Sequence, residues 1–266
     1  MPTITSGDGE IYYEVHGAGT PVLLVSGLGG TGSYWNPNLP AFAKRHQVIV
    51  HDHRGMGKSS RSRIRYSVDQ MTADLLALMD HLKIERAHLV GHSTGGAIGQ
   101  TLAATHPDRL LSMVISASWT KADRYFRRMF EARRALLTAV GPAAYVRSAT
   151  IFLYPSWWIN QNIGLLEDRE KVTVAAFPPA EIVASRIHAI LEFDRTADLP
   201  KLKIPTLMIC AKDDILTPPY FSRELAALIP GAELVELARG GHCASETNTE
   251  EFNGAVLGFI ARHSWT

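Results

Sequence analysis

Short, continuously apolar runs recur along the chain, each the length of a strand buried on both faces of a parallel sheet, with gaps long enough for helices between them. Residues 21–26 (PVLLVS), 48–51, 87–90, 111–115 and 206–210 have this character, and residues 233–237 supply a last strand. Ahead of them, the apolar stretch 11–15 behind Ser6-Gly7-Asp8-Gly9 predicts an opening β-hairpin. Between residues 66 and 82, Val68, Met71, Leu75, Leu76, Met79 and Leu82 recur at three and four, the stripe of an amphipathic helix. Residues 247–263 read as a closing helix. Strands alternating with helices predict an α/β chain with a doubly wound, mostly parallel sheet.

From about residue 118 to residue 199 the rhythm breaks: the stretch is long, rich in arginine and aromatics, and has helical but no strand periodicity. The expected organisation is therefore a core of residues 1–118 and 200–266 and a helical insertion of residues 119–199 packed upon it. Within the insertion Arg127, Arg128, Arg133 and Arg134 fall at helical spacing and are expected on a solvent face. Trp35 is expected to anchor the core or a loop.

Composition narrows the picture only by exclusion. A chain of 266 residues with 46% hydrophobic content is long enough for one well-buried core. With 27 basic against 26 acidic residues the net charge is +1, which leaves no excess to drive binding to nucleic acid or an anionic membrane. The two cysteines, Cys210 and Cys243, make neither a disulfide framework nor a zinc-type pair. The polar start and the absence of any run of ~18 apolar residues point to a soluble, cytoplasmic protein. No nucleic acid, membrane, metal or cofactor is expected; a small-molecule substrate is, and a homodimer is left open.

The chemistry enters with Gly91-His92-Ser93-Thr94-Gly95, which follows the apolar run 87–90 and precedes the helix-compatible run 97–106. A G-x-S-x-G sequence at a strand-to-helix turn is a nucleophile elbow: the turn needs small flanking residues and presents the serine oxygen at a helix N-terminus. A serine hydroxyl is a poor nucleophile until a base takes its proton, and the expected chain order is serine, acid, histidine. His242, in Gly240-Gly241-His242 after the last strand, satisfies that order. His92, beside the nucleophile, should point away from the hydroxyl at such a turn and serve packing. Lys212-Asp213-Asp214, in the loop after 206–210, offers two carboxylates to orient the histidine. A tetrahedral intermediate also needs two amide donors. Thr94, just after the nucleophile, and Leu28, in Ser26-Gly27-Leu28-Gly29-Gly30 after the strand 21–26, are placed to supply them.

Two glycine patterns compete with this reading. Gly27-Leu28-Gly29-Gly30-Thr31-Gly32 is a formal G-x-G-x-x-G after a strand, with Asp52 closing the next, so an NAD-dependent oxidoreductase is the alternative from another class. The hairpin ahead of the supposed first strand and the full serine, acid and histidine set argue against it. Gly57-Lys58-Ser59 imitates the end of a P-loop, but Asp52 stands where its first glycine belongs.

On these motifs nearly the whole chain resembles the α/β-hydrolase superfamily. Asp52-His53-Arg54-Gly55-Met56-Gly57-Lys58-Ser59 is similar to its D-x-R-G-x-G-x-S loop, which braces the oxyanion side. In that superfamily the acid stands a few residues before a proline such as Pro218, which favours Asp214 and leaves Asp213 as the alternative. Ser26-Gly27-Leu28-Gly29-Gly30 with Ser33-Tyr34-Trp35, Phe152-Leu153-Tyr154-Pro155 with a tryptophan shortly after, and Gly241-His242 resemble the RutD family of aminoacrylate or carbamate hydrolases. Relatives of 3-oxoadipate enol-lactonase fit the same strings, as does a general carboxylesterase. The resemblance implies a cofactor-free serine hydrolase with a helical cap over Ser93. Tyr154, Trp157 and Trp158 are candidates for an apolar wall of its pocket and Arg186 for a contact to a substrate carboxylate. Cap packing and solvation are the bland alternatives for these four, and a non-catalytic binding protein on the same fold is the alternative for the whole chain.

Overall fold

The computed structural model describes residues 2–264. Its strands are β1 (Thr3–Ser6), β2 (Gly9–His16), β3 (Thr20–Val25), β4 (His46–His51), β5 (Ala87–His92), β6 (Leu110–Ser116), β7 (Thr206–Ala211) and β8 (Glu233–Leu237). They form one sheet in the order β1-β2-β4-β3-β5-β6-β7-β8. β1 and β2 make the expected hairpin and β2 is antiparallel to β4; every other pairing is parallel. The helices are α1 (Leu39–Phe42), α2 (Val68–His81), α3 (Thr94–Thr105), α4 (Arg124–Ala139), α5 (Pro142–Leu153), α6 (Ser156–Gln161), α7 (Ile163–Ala175), α8 (Ala180–Glu192), α9 (Pro219–Leu228), α10 (Ala244–Thr247) and α11 (Thr249–Arg262).

Alternate residues of each central strand feed opposite layers, as the two-residue strand period requires. Leu23, Val25, Leu89 and Met113 join Leu75, Leu78 and Ile98 on one face, while Val22, Leu24, Val90 and Val114 join Trp35, Phe252 and Phe259 on the other. That two-sided burial is why these strands read as unbroken apolar runs rather than as alternating ones. α2 buries Val68, Met71, Leu75 and Met79 of its predicted stripe, and the Ser67 side chain caps it by accepting from the Gln70 amide at 3.0 Å. The expected closing helix is α11, preceded across Asn248 by the short α10.

Between β6 and β7 the chain makes α4 to α8 and no strand of the sheet. The base of this insertion is drawn shut by an antiparallel bridge between Lys121 and Asp194 and by the Arg195 amide on the Thr120 carbonyl at 3.2 Å. Among the described residues no single helix is long and apolar enough to cross a membrane. The loops after β3, β5, β7 and β8 and the insertion after β6 all leave the sheet at the carboxyl ends of parallel strands, where ligand sites of such sheets lie.

Candidate active site

β5 ends at His92 and α3 begins at Thr94, so the whole reversal falls on Ser93. Its backbone stands at φ 52° and ψ −113°, a left-handed conformation that costs a residue with a side chain about 1–3 kcal/mol and persists only where the surroundings enforce it. The enforcement is visible. A Cβ on Gly91 would sit 2.2 Å from the Gly95 carbonyl oxygen, and one on Gly95 would sit 2.1 Å from the Val25 carbonyl oxygen. Both motif glycines are therefore demanded by backbone against backbone. The Ser93 amide donates to the Ser116 carbonyl and the Ser118 hydroxyl donates to the Ser93 carbonyl, each at 2.8 Å, which pins the elbow to the end of β6. Ser118 carries no motif, and sequence reading had no means of finding it.

The adjacent carboxylates of Asp213 and Asp214 separate in space. Asp214 Oδ2 lies 2.9 Å from His242 Nδ1, and both side chains are buried. Asp214 Oδ1 accepts from the Leu216 and Thr217 amides at 2.8 and 3.0 Å, which holds the carboxylate in one orientation. The Thr217 hydroxyl stands 2.8 Å from Asp214 Oδ2, 3.1 Å from His242 Nδ1 and 3.0 Å from the Ala117 carbonyl. Asp213 instead accepts from the Gly240 and Gly241 amides at 2.7 and 2.8 Å and so fastens the loop that carries His242. The histidine is thus held through its ring by one aspartate and through its loop by the other.

His242 meets the elbow through His92, with ring centroids 4.6 Å apart. The other side of His92 is stacked on Tyr34 at 4.6 Å and 15°, and the Tyr34 hydroxyl lies 2.6 Å from Ser245 Oγ. Burial, then the proximity of His242, pushes the His92 imidazole well below its ordinary range and keeps it neutral. His92 is therefore a packing element between Tyr34 and His242, as its position at the turn predicted. Tyr34, which sequence reading used only as part of a string, completes the support. Trp35 is fully buried in the core beneath it.

The loop after β3 lies against the elbow: a Cβ on Gly27 would stand 3.2 Å from Ser93 Cβ. Thr94 is fully buried as the first residue of α3, so its amide is one of the helix donors that have no partner one turn back. The Leu28 carbonyl is held by Arg186 Nη2 at 3.2 Å. That guanidinium also donates to the Arg54 carbonyl at 3.0 Å and to His53 Nδ1 at 3.0 Å, and the whole residue is buried. Arg186 was a candidate for a substrate carboxylate; in the structure its two terminal nitrogens donate to backbone carbonyls and a neutral imidazole, while its Nε is buried without a partner. It reaches from α8 across to two loops of the core. Burial lowers its pKa to about 10, and burial together with His51 and Arg186 pushes His53 well below its ordinary value.

Asp52, the acid of the dinucleotide-like pattern, is committed to the protein's own backbone. Its carboxylate accepts from the Gly32 and Lys58 amides at 2.8 Å each, and the Ser59 hydroxyl donates to its carbonyl at 2.6 Å. The loop leads into a single 3-10 turn, Gly32–Trp35, rather than the helix N-terminus that a pyrophosphate would need. Arg54, from the same loop, is buried against Asp74 at 2.7 Å and Asp8 at 2.6 Å.

The aromatic residues expected to wall the pocket form a seam between insertion and core. Tyr154 stacks on Trp158 at 4.6 Å and donates to Glu246 Oε2 at 2.9 Å, while the Trp157 ring lies under the Arg239 guanidinium at 4.7 Å. All three aromatics are half-buried. Leu153 accepts from the Cys243 amide at 3.0 Å, so the seam touches the residue after His242. The arginines of α4 divide: Arg127, Arg128 and Arg134 are exposed as expected, but Arg133 is 6% exposed and faces inward. Its position was legible as the continuation of the stripe Phe126, Met129, Phe130 and Leu137, all buried.

Comparison with known proteins agrees with this geometry. A profile for the alpha/beta hydrolase fold matches residues 20–249. A protein of Azorhizobium caulinodans named "Putative carbamate hydrolase RutD" is 44% identical over 259 residues, covering 97% of this chain and 98% of its own. One of the same name from Caulobacter vibrioides is 42% identical over 263 residues, covering 97% of each chain. The crystal structure of the enol-lactonase from Burkholderia xenovorans LB400 superimposes with a TM-score of 0.90 at 28% identity, over 98% of this chain and 100% of the other. The elbow, the hydrogen-bonded histidine and aspartate, the eight-stranded sheet and these likenesses converge: the chain belongs to the α/β-hydrolase fold family, within the branch that carries the name RutD.

Proposed function

We propose that this chain is a serine hydrolase that cleaves a small carbamate, amide or ester through an acyl-enzyme. The observation that carries the reading is the bond between His242 Nδ1 and Asp214 Oδ2, formed at the same sheet edge as a serine held in a left-handed conformation. With Nδ1–H donated to Asp214, the lone pair of His242 sits on Nε2, ready to accept the Ser93 Oγ proton. The serine oxygen bonds to the substrate carbonyl carbon and the π electrons move to the carbonyl oxygen. The amides of Leu28 and Thr94 donate to that oxyanion. His242 Nε2–H then protonates the leaving nitrogen or oxygen as its bond to carbon breaks. A water, giving its proton to Nε2, attacks the acyl-enzyme, and Ser93 leaves with that proton. Thr217, beside both His242 and Asp214, steadies the imidazolium that forms in each half-reaction.

The name carried by the relatives above 40% identity supports carbamate as the substrate class, and the enol-lactonase superposition supports ester cleavage as a second reading. Cys210 and Cys243 are buried and free, which supports a reducing, cytoplasmic setting. A fluorophosphonate probe tests the core of the proposal: intact-mass and peptide analysis should find the adduct on Ser93 and none in Ser93→Ala. Absence of labelling in the wild-type protein would overturn it.

A further inference from the structure

The loop that carries His242 is gripped from two sides, and one of them is the insertion. From the core, Asp213 holds the Gly240 and Gly241 amides, and the Tyr34 hydroxyl lies 2.6 Å from Ser245 Oγ. From the insertion, the link between α5 and α6 lies directly on the residues that flank the histidine. The Leu153 carbonyl accepts from the Cys243 amide at 3.0 Å. Gly241, at φ 66°, has no room for a side chain: a Cβ there would stand 2.7 Å from Pro155 Cδ and 3.2 Å from the Leu153 carbonyl oxygen. Residues 241 and 243 thus both touch residues 153–155, with His242 between them.

The third contact is charged. Glu246, on α10, turns both carboxylate oxygens to the insertion: Oε2 accepts from the Tyr154 hydroxyl at 2.9 Å, and Oε1 accepts from Nη1 of Arg169, on α7, at 2.5 Å. The Glu246 side chain is 13% exposed, against 46% for Arg169. Burial, then Cys243 and Glu246 nearby, pushes the Tyr154 phenol above its ordinary range, so it stays protonated and donates. The Glu246 amide in turn donates to the Cys243 carbonyl at 2.9 Å, one residue from His242. An ion pair with a half-exposed arginine adds little to stability, and apolar side chains would close the same seam without desolvating a carboxylate. What the carboxylate adds is direction. Two oxygens fixed by donors from two parts of the insertion define one placement of α10 and of the backbone that leads back to His242.

We propose that Glu246 is a positioning residue for the base: through Tyr154 and Arg169 it registers the His242 loop against the insertion, so that the insertion sets the aim of the imidazole. The proposal rests on the serine-hydrolase reading and gives the insertion a part in the chemical step. Serine attack and leaving-group protonation both need His242 within hydrogen-bond reach of the reacting atoms, and a displacement of about 1 Å can cost on the order of 100-fold in rate. The penalty falls unevenly. A poor leaving group depends on the proton from Nε2, whereas p-nitrophenolate departs largely without it, so a base out of register is felt most with the poorer leaving group.

The test compares phenyl acetate with p-nitrophenyl acetate. The quantity read is the ratio of kcat/KM for the phenyl ester to that for the nitrophenyl ester, so a general loss of folded protein cancels. Glu246→Gln, which keeps an acceptor oxygen but loses the charge, and Arg169→Met should each lower that ratio roughly three- to tenfold, a fraction of what a general acid contributes. Arg169→Lys, which keeps the charge, should recover most of the loss, and the Arg169 variants serve alone if Glu246→Gln does not fold. Lys171→Met, also on α7 with a side chain 74% exposed, should leave the ratio unchanged. A wild-type ratio in both Glu246→Gln and Arg169→Met overturns the assignment, as does an equal fall in Lys171→Met. Fluorophosphonate labelling of Ser93 in the same preparations separates the two readings: labelling with an unchanged ratio removes the positioning role alone, and no labelling of the wild-type protein removes both.

Discussion

Asp213→Asn and Asp214→Asn differ by one position in the chain and should differ by orders of magnitude in activity. In the second variant the new amide must choose an orientation. Position Oδ1 receives two backbone N–H groups, from Leu216 and Thr217, so the side-chain oxygen of asparagine stays there and its NH2 turns toward His242. Two donors cannot face each other, and the imidazole adopts the tautomer with its proton on Nε2, which can no longer take the serine proton. A tautomer error of this kind in another serine hydrolase costs about 10⁴-fold in kcat, roughly 5.5 kcal/mol of transition-state stabilisation. Asp213→Asn keeps an oxygen for both the Gly240 and Gly241 amides and loses only the charge that strengthens those bonds. The difference between a charge-assisted and a neutral pair predicts a loss below about tenfold. Initial rates of p-nitrophenyl acetate hydrolysis, with thermal melts to show that both variants are folded, measure the contrast. Equal activities, or a greater loss at Asp213, would refute the division of labour between the two aspartates.

Three further outcomes follow from the same geometry. Gly95→Ala places a methyl group 2.1 Å from the Val25 carbonyl oxygen, so it should cost about 3 kcal/mol or more by urea unfolding; a wild-type midpoint would contradict the backbone contact. Arg186→Met frees the Leu28 carbonyl and should reduce kcat for p-nitrophenyl acetate by roughly 10- to 100-fold with little change in KM, partly restored in Arg186→Lys; a change confined to KM would place the arginine on the substrate instead. His51 and His88 are buried, and desolvation lowers each from 6.5 to about 4. Below pH 6.5 the unfolded chain therefore binds protons that the folded chain refuses. Their contribution is complete above that pH and is lost toward pH 4, at ~1.4 kcal/mol per unit per group. Unfolding midpoints that stay level from pH 7 to pH 4.5 would count against it.

The polypeptide order alone determined the parts of this protein that are local or periodic. Two-sided burial wrote the central strands as apolar runs, and a strand-to-helix reversal needs two glycines around its serine whatever the rest of the chain does, so sheet, elbow and chain order were legible together. Adjacent aspartates are chemically alike until folding places one on an imidazole and the other on a pair of loop amides, and that difference of a few ångströms is tertiary. The arginines show the same limit more sharply. Arg133 and Arg186 each occupy a place in an otherwise apolar stripe, but a helical period reports only that a residue faces inward, not what it meets there. Folding gave Arg186 two carbonyls and an imidazole as acceptors and left Arg133 among three rings. Spacing along a helix sets direction but not what lies opposite: the rings around Arg133 come from its own helix and the next, whereas the acceptors of Arg186 are more than a hundred positions away and meet it only through the packing of the insertion on the core.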